Sequence, residues 1–110
     1  SEQDAINVGR TVAEDNLVKT ALFGSDPNWG RIAMALGRAR AEIDPAALSI
    51  EINGVTLFAN GSTAEDRSKA DLSGRAVRIV IDLGVGPSET TIYTTDLSHA
   101  YVEENSAYSS

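Results

Sequence analysis

The sequence predicts an α+β fold, with helices packed on a mostly antiparallel sheet. Apolar residues recur at a helical period up to about residue 40 and alternate with polar ones from Leu48 onward, and an Asn53-Gly54 pair separates the first two alternating runs. A chain of 110 residues makes one domain at most, with room for a modest core. Hydrophobic residues at 42% and charged residues at 23% exclude a disordered chain. With one Trp, three Tyr and two Phe, the core has to come from Ile, Val, Leu and Ala.

The elements follow in order. Ser1 and Asp4 stand at capping-box spacing, and Ile6, Ala13 and Leu17, with Val8 and Val12 beside them, trace an apolar helical stripe. Asn16 restarts a short helical piece that Gly24 closes. The next helix is expected from Asp26 to about Arg40, with Pro27 in its first turn and Ile32, Ala33, Leu36 and Ala39 facing inward. Asp44-Pro45 prevents its continuation. Leu48, Ile50 and Ile52 then alternate with Ser49, Glu51 and Asn53, and Val55, Leu57 and Ala59 follow. Asn53-Gly54 suits a type I′ turn, a register in which Ile52 opposes Val55 and Ile50 opposes Leu57. Thr63 and Asp66 suggest a third, short helix ending near Gly74. From Arg75 to Leu83, Val77, Ile79, Ile81 and Leu83 share one face, with Arg78 and Asp82 on the other. Gly84-Val85-Gly86-Pro87 reads as a turn, Glu89 to Thr95 as a Thr-rich strand, and Asp96 as the cap of a last helix carrying Leu97, Tyr101 and Val102. The chain opens directly on a helix, and two hairpins make a small sheet for so many helical faces. A preceding strand is therefore expected upstream.

A formal charge of -7 argues against nucleic acid and against anionic membrane surfaces as partners. Without cysteine there is neither a disulfide nor a thiolate metal site. No apolar run is long enough for a membrane span, and no signal-peptide pattern is visible. The expectation is a soluble, cytoplasmic protein.

The run Asp26-Pro27-Asn28-Trp29-Gly30-Arg31 is the first candidate site. Free backbone donors and a partial positive charge at a helix start favour a carboxylate or phosphate, with Asn28 and Arg31 as contacts. A helix start locked by packing explains the same residues. Gly84-Val85-Gly86 lacks the third glycine of a dinucleotide loop. Asp96, Ser98 and His99 are the residue types of a hydrolytic triad, but so close together on one helix start they do not reach the necessary line. His99 is alone, and no carboxylate spacing makes it a metal site. Ser1 has an N-terminal hydroxyl, yet its spacing to Asp4 gives it an ordinary capping role. Glu14-Asp15 and Glu103-Glu104 read as solvated helix faces, and no isolated acid sits in an apolar run where burial would raise its pKa. The tail Asn105-Ser106-Ala107-Tyr108-Ser109-Ser110 either frays or inserts into a cleft and hydrogen-bonds a polar ligand.

Four blocks resemble the ornithine acetyltransferase family, the bifunctional glutamate N-acetyltransferases of arginine biosynthesis. They are Asn16-Leu17-Val18-Lys19-Thr20-Ala21-Leu22-Phe23-Gly24, the Asp26–Arg31 run, Asp82-Leu83-Gly84-Val85-Gly86, and Asp96-Leu97-Ser98-His99-Ala100-Tyr101-Val102 with Asn105. The resemblance covers essentially all 110 residues, in family order, as the C-terminal part of the family's β chain. It implies a ping-pong acetyl transfer. A precursor cleaves itself, and the threonine exposed at the start of the second chain takes acetyl from N-acetylornithine. Ornithine leaves, and the acetyl passes to glutamate, giving N-acetylglutamate. No metal, nucleotide or other cofactor enters this cycle. The implied partners are the remainder of the β chain and the α chain, in a heterotetramer of two α and two β chains.

The nucleophilic threonine is expected upstream, because none of Thr11, Thr20, Thr56, Thr63, Thr90, Thr91, Thr94 or Thr95 has its context. No catalytic residue is assigned here, and the segment alone is expected to be inactive. The resemblance carries over two substrate contacts, Asn105 and the C-terminal hydroxyl residue Ser110. Ornithine and glutamate share an amino-acid skeleton, and Asn and Ser offer it both donors and acceptors. Ser109 departs from the basic residue common at that position. The rival reading is a self-contained, non-enzymatic α+β module that binds a small amino acid or a protein.

Overall fold

The alternation in the second half of the chain resolves into one antiparallel sheet, and the helical first half lies on one of its faces. The computed structural model describes residues 2–39, 41–72, 76–85, 88–96 and 99–106. Helices α1 (Glu2–Glu14), α2 (Asn16–Phe23) and α3 (Trp29–Leu36) come first. Strands β1 (Ser49–Ile52), β2 (Val55–Ala59), β3 (Ser62–Thr63), β4 (Val77–Asp82), β5 (Ser88–Asp96) and β6 (His99–Ser106) follow. Their order in the sheet is β3-β2-β1-β4-β5-β6, every pair antiparallel.

The core lies between the helices and one sheet face. Ile81 of β4 stands between Ile50 of β1 and Thr90 of β5, and Ile79 between Ile52 and Ile92. Val8, Val12, Val18, Ile32, Ala35 and Leu36 cover this row from the helical side. Burying one such Val, Leu or Ile contributes about 1.5–3 kcal/mol, so the strict alternation of β4 fixes which of its faces meets the helices. Along α1 the buried residues are Ala5, Val8, Gly9 and Val12, while Leu17 of α2 is 49% exposed. The inward stripe is thus rotated from the expected one, and Leu17 is not on it.

Gly9 lets α1 lie directly on the sheet. A Cβ there would stand 2.2 Å from Val102 Cγ1 and 2.6 Å from Thr90 Cγ2. One turn earlier, the buried Thr90 hydroxyl donates to the carbonyl of Ala5. Asp15 fixes the corner between α1 and α2. Its Oδ1 accepts the Val18 N–H at 2.8 Å as the α2 cap, and its Oδ2 accepts from the Arg38 guanidinium beyond α3. Asp15 is buried, which corrects its expected place on a solvated face: the cap and the ion pair together satisfy the carboxylate.

The β1–β2 turn has the expected positive φ at both Asn53 (48°) and Gly54 (85°). The register beyond it shifts. Ile52 opposes Val55, but a bulge sets Ile50 opposite Phe58 rather than Leu57. Both bulge residues belong to the core side: Leu57 is fully buried, and Phe58 packs on Trp29.

Three expected helices change. The helix expected from Asp26 to Arg40 runs only from Trp29 to Leu36, because Asn28 caps it and Gly37 ends it. The helix expected after Asp66 is a single 3-10 turn at Arg67–Lys69, since among its described residues the stretch offers only Ala70 and Leu72 to the core. The last expected helix is strand β6, paired with β5 along its whole length. Glu103 and Glu104 accordingly stand in a strand and not on a helix.

Candidate functional site

Within the Asp26–Arg31 run each polar group of Asn28 has a local partner. Its Oδ1 accepts the Arg31 N–H at 3.2 Å, and its Nδ2 donates to Asp26 Oδ2 at 3.3 Å. Pro27 is buried. Trp29 leans on Phe58 with ring centroids 4.9 Å apart and planes at 32°, tying the start of α3 to β2. Asp26 also reaches Arg67, its Oδ1 lying 3.6 Å from Nη1. Arg31 is half-buried, and its guanidinium makes no ion pair among the described residues. Geometrically the run is a capped and packed helix start.

The sheet face turned away from the helices holds the larger polar constellation. Across β1, β4 and β5 it carries Glu51, Arg78, Val80, Asp82, Glu89, Thr91 and Tyr93, with Glu51 beside Val80, Asp82 beside Glu89 and Arg78 beside Tyr93 in the ladders. Arg78 Nη1 lies 3.7 Å from Glu51 Oε2. The Glu89 carboxyl is pushed above its ordinary pKa, first by burial, then by the carboxylates of Asp82 and Glu51, with Arg78 opposing. Arg78 is held more firmly protonated, chiefly by its hydrogen bond to Tyr93. Sequence reasoning looked for a raised carboxyl only inside apolar runs and missed Glu89, which sits among threonines. The signal available was the alternation of β4, which sets Arg78 and Asp82 on one face.

Ladder positions locate the remaining candidates. Asn105 stands opposite Glu89, completing a row Ser49, Asp82, Glu89, Asn105 across four strands. Ser110 lies outside the described residues. Asn28 and Arg31 sit over β2, whereas β6 lies four strand spacings away, about 19 Å. Asn105 therefore does not come together with Asn28 and Arg31. Asp96 and His99 pair at the β5–β6 turn instead of sharing a helix start, and Ser98 lies outside the described residues. Gly84 has φ 77° and gives its N–H to Asp82 Oδ1 at 2.9 Å, so the glycine turn is closed by its own aspartate. A Cβ at Gly84 would meet Ala47 Cβ at 2.7 Å. No helix among the described residues is long and apolar enough to cross a membrane.

Comparison with known proteins places this geometry. The model of the ArgJ family matches residues 1–110. The arginine biosynthesis bifunctional protein ArgJ of Mycobacterium tuberculosis strain H37Rv is 53% identical over 110 residues, all of this chain and 27% of that protein. The protein of the same name from Streptomyces coelicolor is 49% identical over 110 residues, again all of this chain and 29% of that protein. The crystal structure of the arginine biosynthesis bifunctional protein ArgJ from Bacillus halodurans has the same fold at a TM-score of 0.78 and 27% identity, covering 87% of this chain and 47% of that one. The chain thus spans less than a third of the length of these curated relatives.

Proposed function

Because this chain belongs to the ArgJ family, we propose that it is the C-terminal portion of a cytoplasmic acetyltransferase of arginine biosynthesis that moves acetyl from N-acetylornithine to glutamate. The observation that carries this reading is the family match over residues 1–110, with about half of the residues identical to relatives named for arginine biosynthesis. In the proposed cycle a threonine hydroxyl, supplied by the polypeptide preceding this segment, attacks the acetyl carbonyl of N-acetylornithine. The ornithine amine leaves, and the amine of glutamate then attacks the acetyl-threonine ester. This segment supplies scaffold and substrate contacts and works with the rest of the β chain and the α chain, in an assembly of two of each.

Asn105 and Ser110 are the proposed contacts. An amide and a hydroxyl both donate and accept, so one pair serves the donor amino acid and the acceptor amino acid in turn. Asn105 gains its position from the sheet, since β6 is paired with β5 from His99 to Ser106. Asn105→Ala, and separately deletion of Ser109-Ser110, in the complete enzyme tests the proposal. Each is expected to lower kcat/KM for transfer to glutamate roughly ten- to a hundredfold, the range for a lost polar substrate contact, with self-cleavage still complete on a gel. Unchanged transfer kinetics in both variants would refute the tail's role.

A further inference from the structure

The chain contains two Asn-Gly pairs, Asn53-Gly54 and Asn60-Gly61. Their backbones are alike: φ is 48° at Asn53 and 51° at Asn60, and 85° and 79° at the glycines. The side chains are held differently. Asn53 is half-buried, its Nδ2 donates to the Asp71 carbonyl at 2.7 Å, and its Oδ1 accepts the Arg78 N–H at 2.8 Å. Asn60 is exposed, and its side chain makes no hydrogen bond among the described residues. Nothing lies within 4 Å of a Cβ placed on either Gly54 or Gly61, so the space for a ring is open at both turns and the side-chain anchors separate them.

The two turns also differ in how easily they open. Asn53 joins β1 to β2, and β1 has a paired strand on each side. Asn60 joins β2 to β3, an edge strand of two residues held by the pairs Phe58–Thr63 and Ala59–Ser62 and, just beyond, by the Ala64 and Glu65 N–H groups donating to the Leu57 and Thr56 carbonyls, with no strand on its outer side. Short edge segments with exposed backbone open locally at low cost.

We propose that Asn60 is a site of spontaneous deamidation and that the chemically identical pair at Asn53 is protected by its anchors. The main-chain nitrogen of Gly61 attacks Cγ of Asn60. An N–Cγ bond forms, the Cγ–Nδ2 bond breaks, and ammonia leaves with the proton released from the Gly61 N–H. Water then opens the five-membered imide at either carbonyl, leaving aspartate at position 60 or an isoaspartyl link. Water is the only co-reactant. Either product adds a negative charge to a chain already at -7. The isoaspartyl form also inserts a methylene into the main chain at the β2–β3 turn and breaks the pairing of β3.

No Lys or Arg lies between Arg40 and Arg67, so one tryptic peptide contains both asparagines and reports both conversions side by side. The complete enzyme is incubated at mildly alkaline pH, folded and in denaturant, and fragmentation of that peptide locates the amide-to-acid mass gain. In the folded protein Asn60 is expected to convert roughly tenfold or more faster than Asn53, the ratio set by releasing two hydrogen bonds before attack. In denaturant the two rates converge. Equal rates in the folded protein would overturn the proposal. So would an unconverted Asn60 over a time in which the denatured chain converts.

Discussion

Gly9→Ala is the most direct probe of how α1 meets the sheet. In an exposed helix the substitution would stabilise by about 1 kcal/mol through helix propensity alone. Here the new methyl carbon would stand 2.2 Å from Val102 Cγ1 and 2.6 Å from Thr90 Cγ2. Carbon atoms rest at about 3.5–4.0 Å, so something must move by more than roughly 1 Å. Neither neighbour gives way cheaply. Both are β-branched and stiff at χ1, and Thr90 is further held by its hydrogen bond to the Ala5 carbonyl. Relief requires lifting α1, which disturbs Val8 and Val12 in the same contact. Overpacking of this kind costs up to about 3 kcal/mol, and losing the Thr90 bond adds about 1 kcal/mol. After the propensity gain the net loss is about 3 kcal/mol. Urea unfolding of the 110-residue chain, followed by circular dichroism, should show a lower midpoint at unchanged slope. Val102→Ala in the Gly9→Ala background removes the nearer of the two clashes and leaves the one with Thr90, so the pair should couple favourably by about 1 kcal/mol. A Gly9→Ala chain as stable as the parent, or a pair without coupling, would refute the close approach.

Two further outcomes follow from the polar groups. Asn28→Ala should cost about 1 kcal/mol in urea unfolding through the lost α3 cap, and Asn28→Asp should recover most of it; a full loss of transfer activity in the complete enzyme at unchanged stability would instead make Asn28 a ligand contact. The folded-state pKa of Glu89 is raised, so the folded chain binds more protons than the unfolded chain between that pKa and the ordinary 4.5, and stability rises as pH falls through this window. Glu89→Gln should flatten that part of a stability–pH curve without lowering stability at pH 7, and a steeper curve would count against the raised carboxyl. Asp66, whose pKa is lowered chiefly by the Ser68 N–H, acts oppositely and only around and below 3.8, so the two effects separate on the pH axis.

Much of the fold was legible because it rests on local patterns. The alternation of Val77–Asp82 needed only one buried face, and Asn53-Gly54 needed only two residues that accept positive φ. What failed depended on partners distant in sequence. Asp96, Leu97, Tyr101 and Val102 mimic a capped helix, yet eight residues from His99 pair with β5 and bury Val102 against Gly9 of α1. The Phe58 register turned on whether Leu57 and Phe58 would both face the core, and the aromatic contact deciding it comes from Trp29. Asp15 looked solvated because its counter-charge, Arg38, is 23 residues away. Glu89 was invisible for a similar reason, since the burial that chiefly raises it and then the carboxylates of β1 and β4 arise only once the sheet is assembled. Asn28 was read as a binding or packing residue, and its cap geometry was within reach of the sequence once Asp26 was no longer given that role.

The change of β6 from helix to strand alters the candidate site more than any other correction. From His99 to Asn105 a helix would rise about 9 Å, leaving Asn105 close to the Asp96–His99 turn. As a strand the same six steps cover about 20 Å, and Asn105 arrives at the opposite end of the sheet. There it stands opposite Glu89, which stands opposite Asp82, the residue whose Oδ1 closes the Gly84 turn. Asp82 of one family-like block and Asn105 of another are 23 positions apart in sequence and meet at this one end, while Asp96 and His99, of the same block as Asn105, pair at the other. The other two blocks form the capped α2 and the Asn28 cap on the helical side. The substrate contact proposed at Asn105 therefore depends on the strand ladder, and a side chain at Gly84 that pushes Ala47 aside would disturb that end of the sheet.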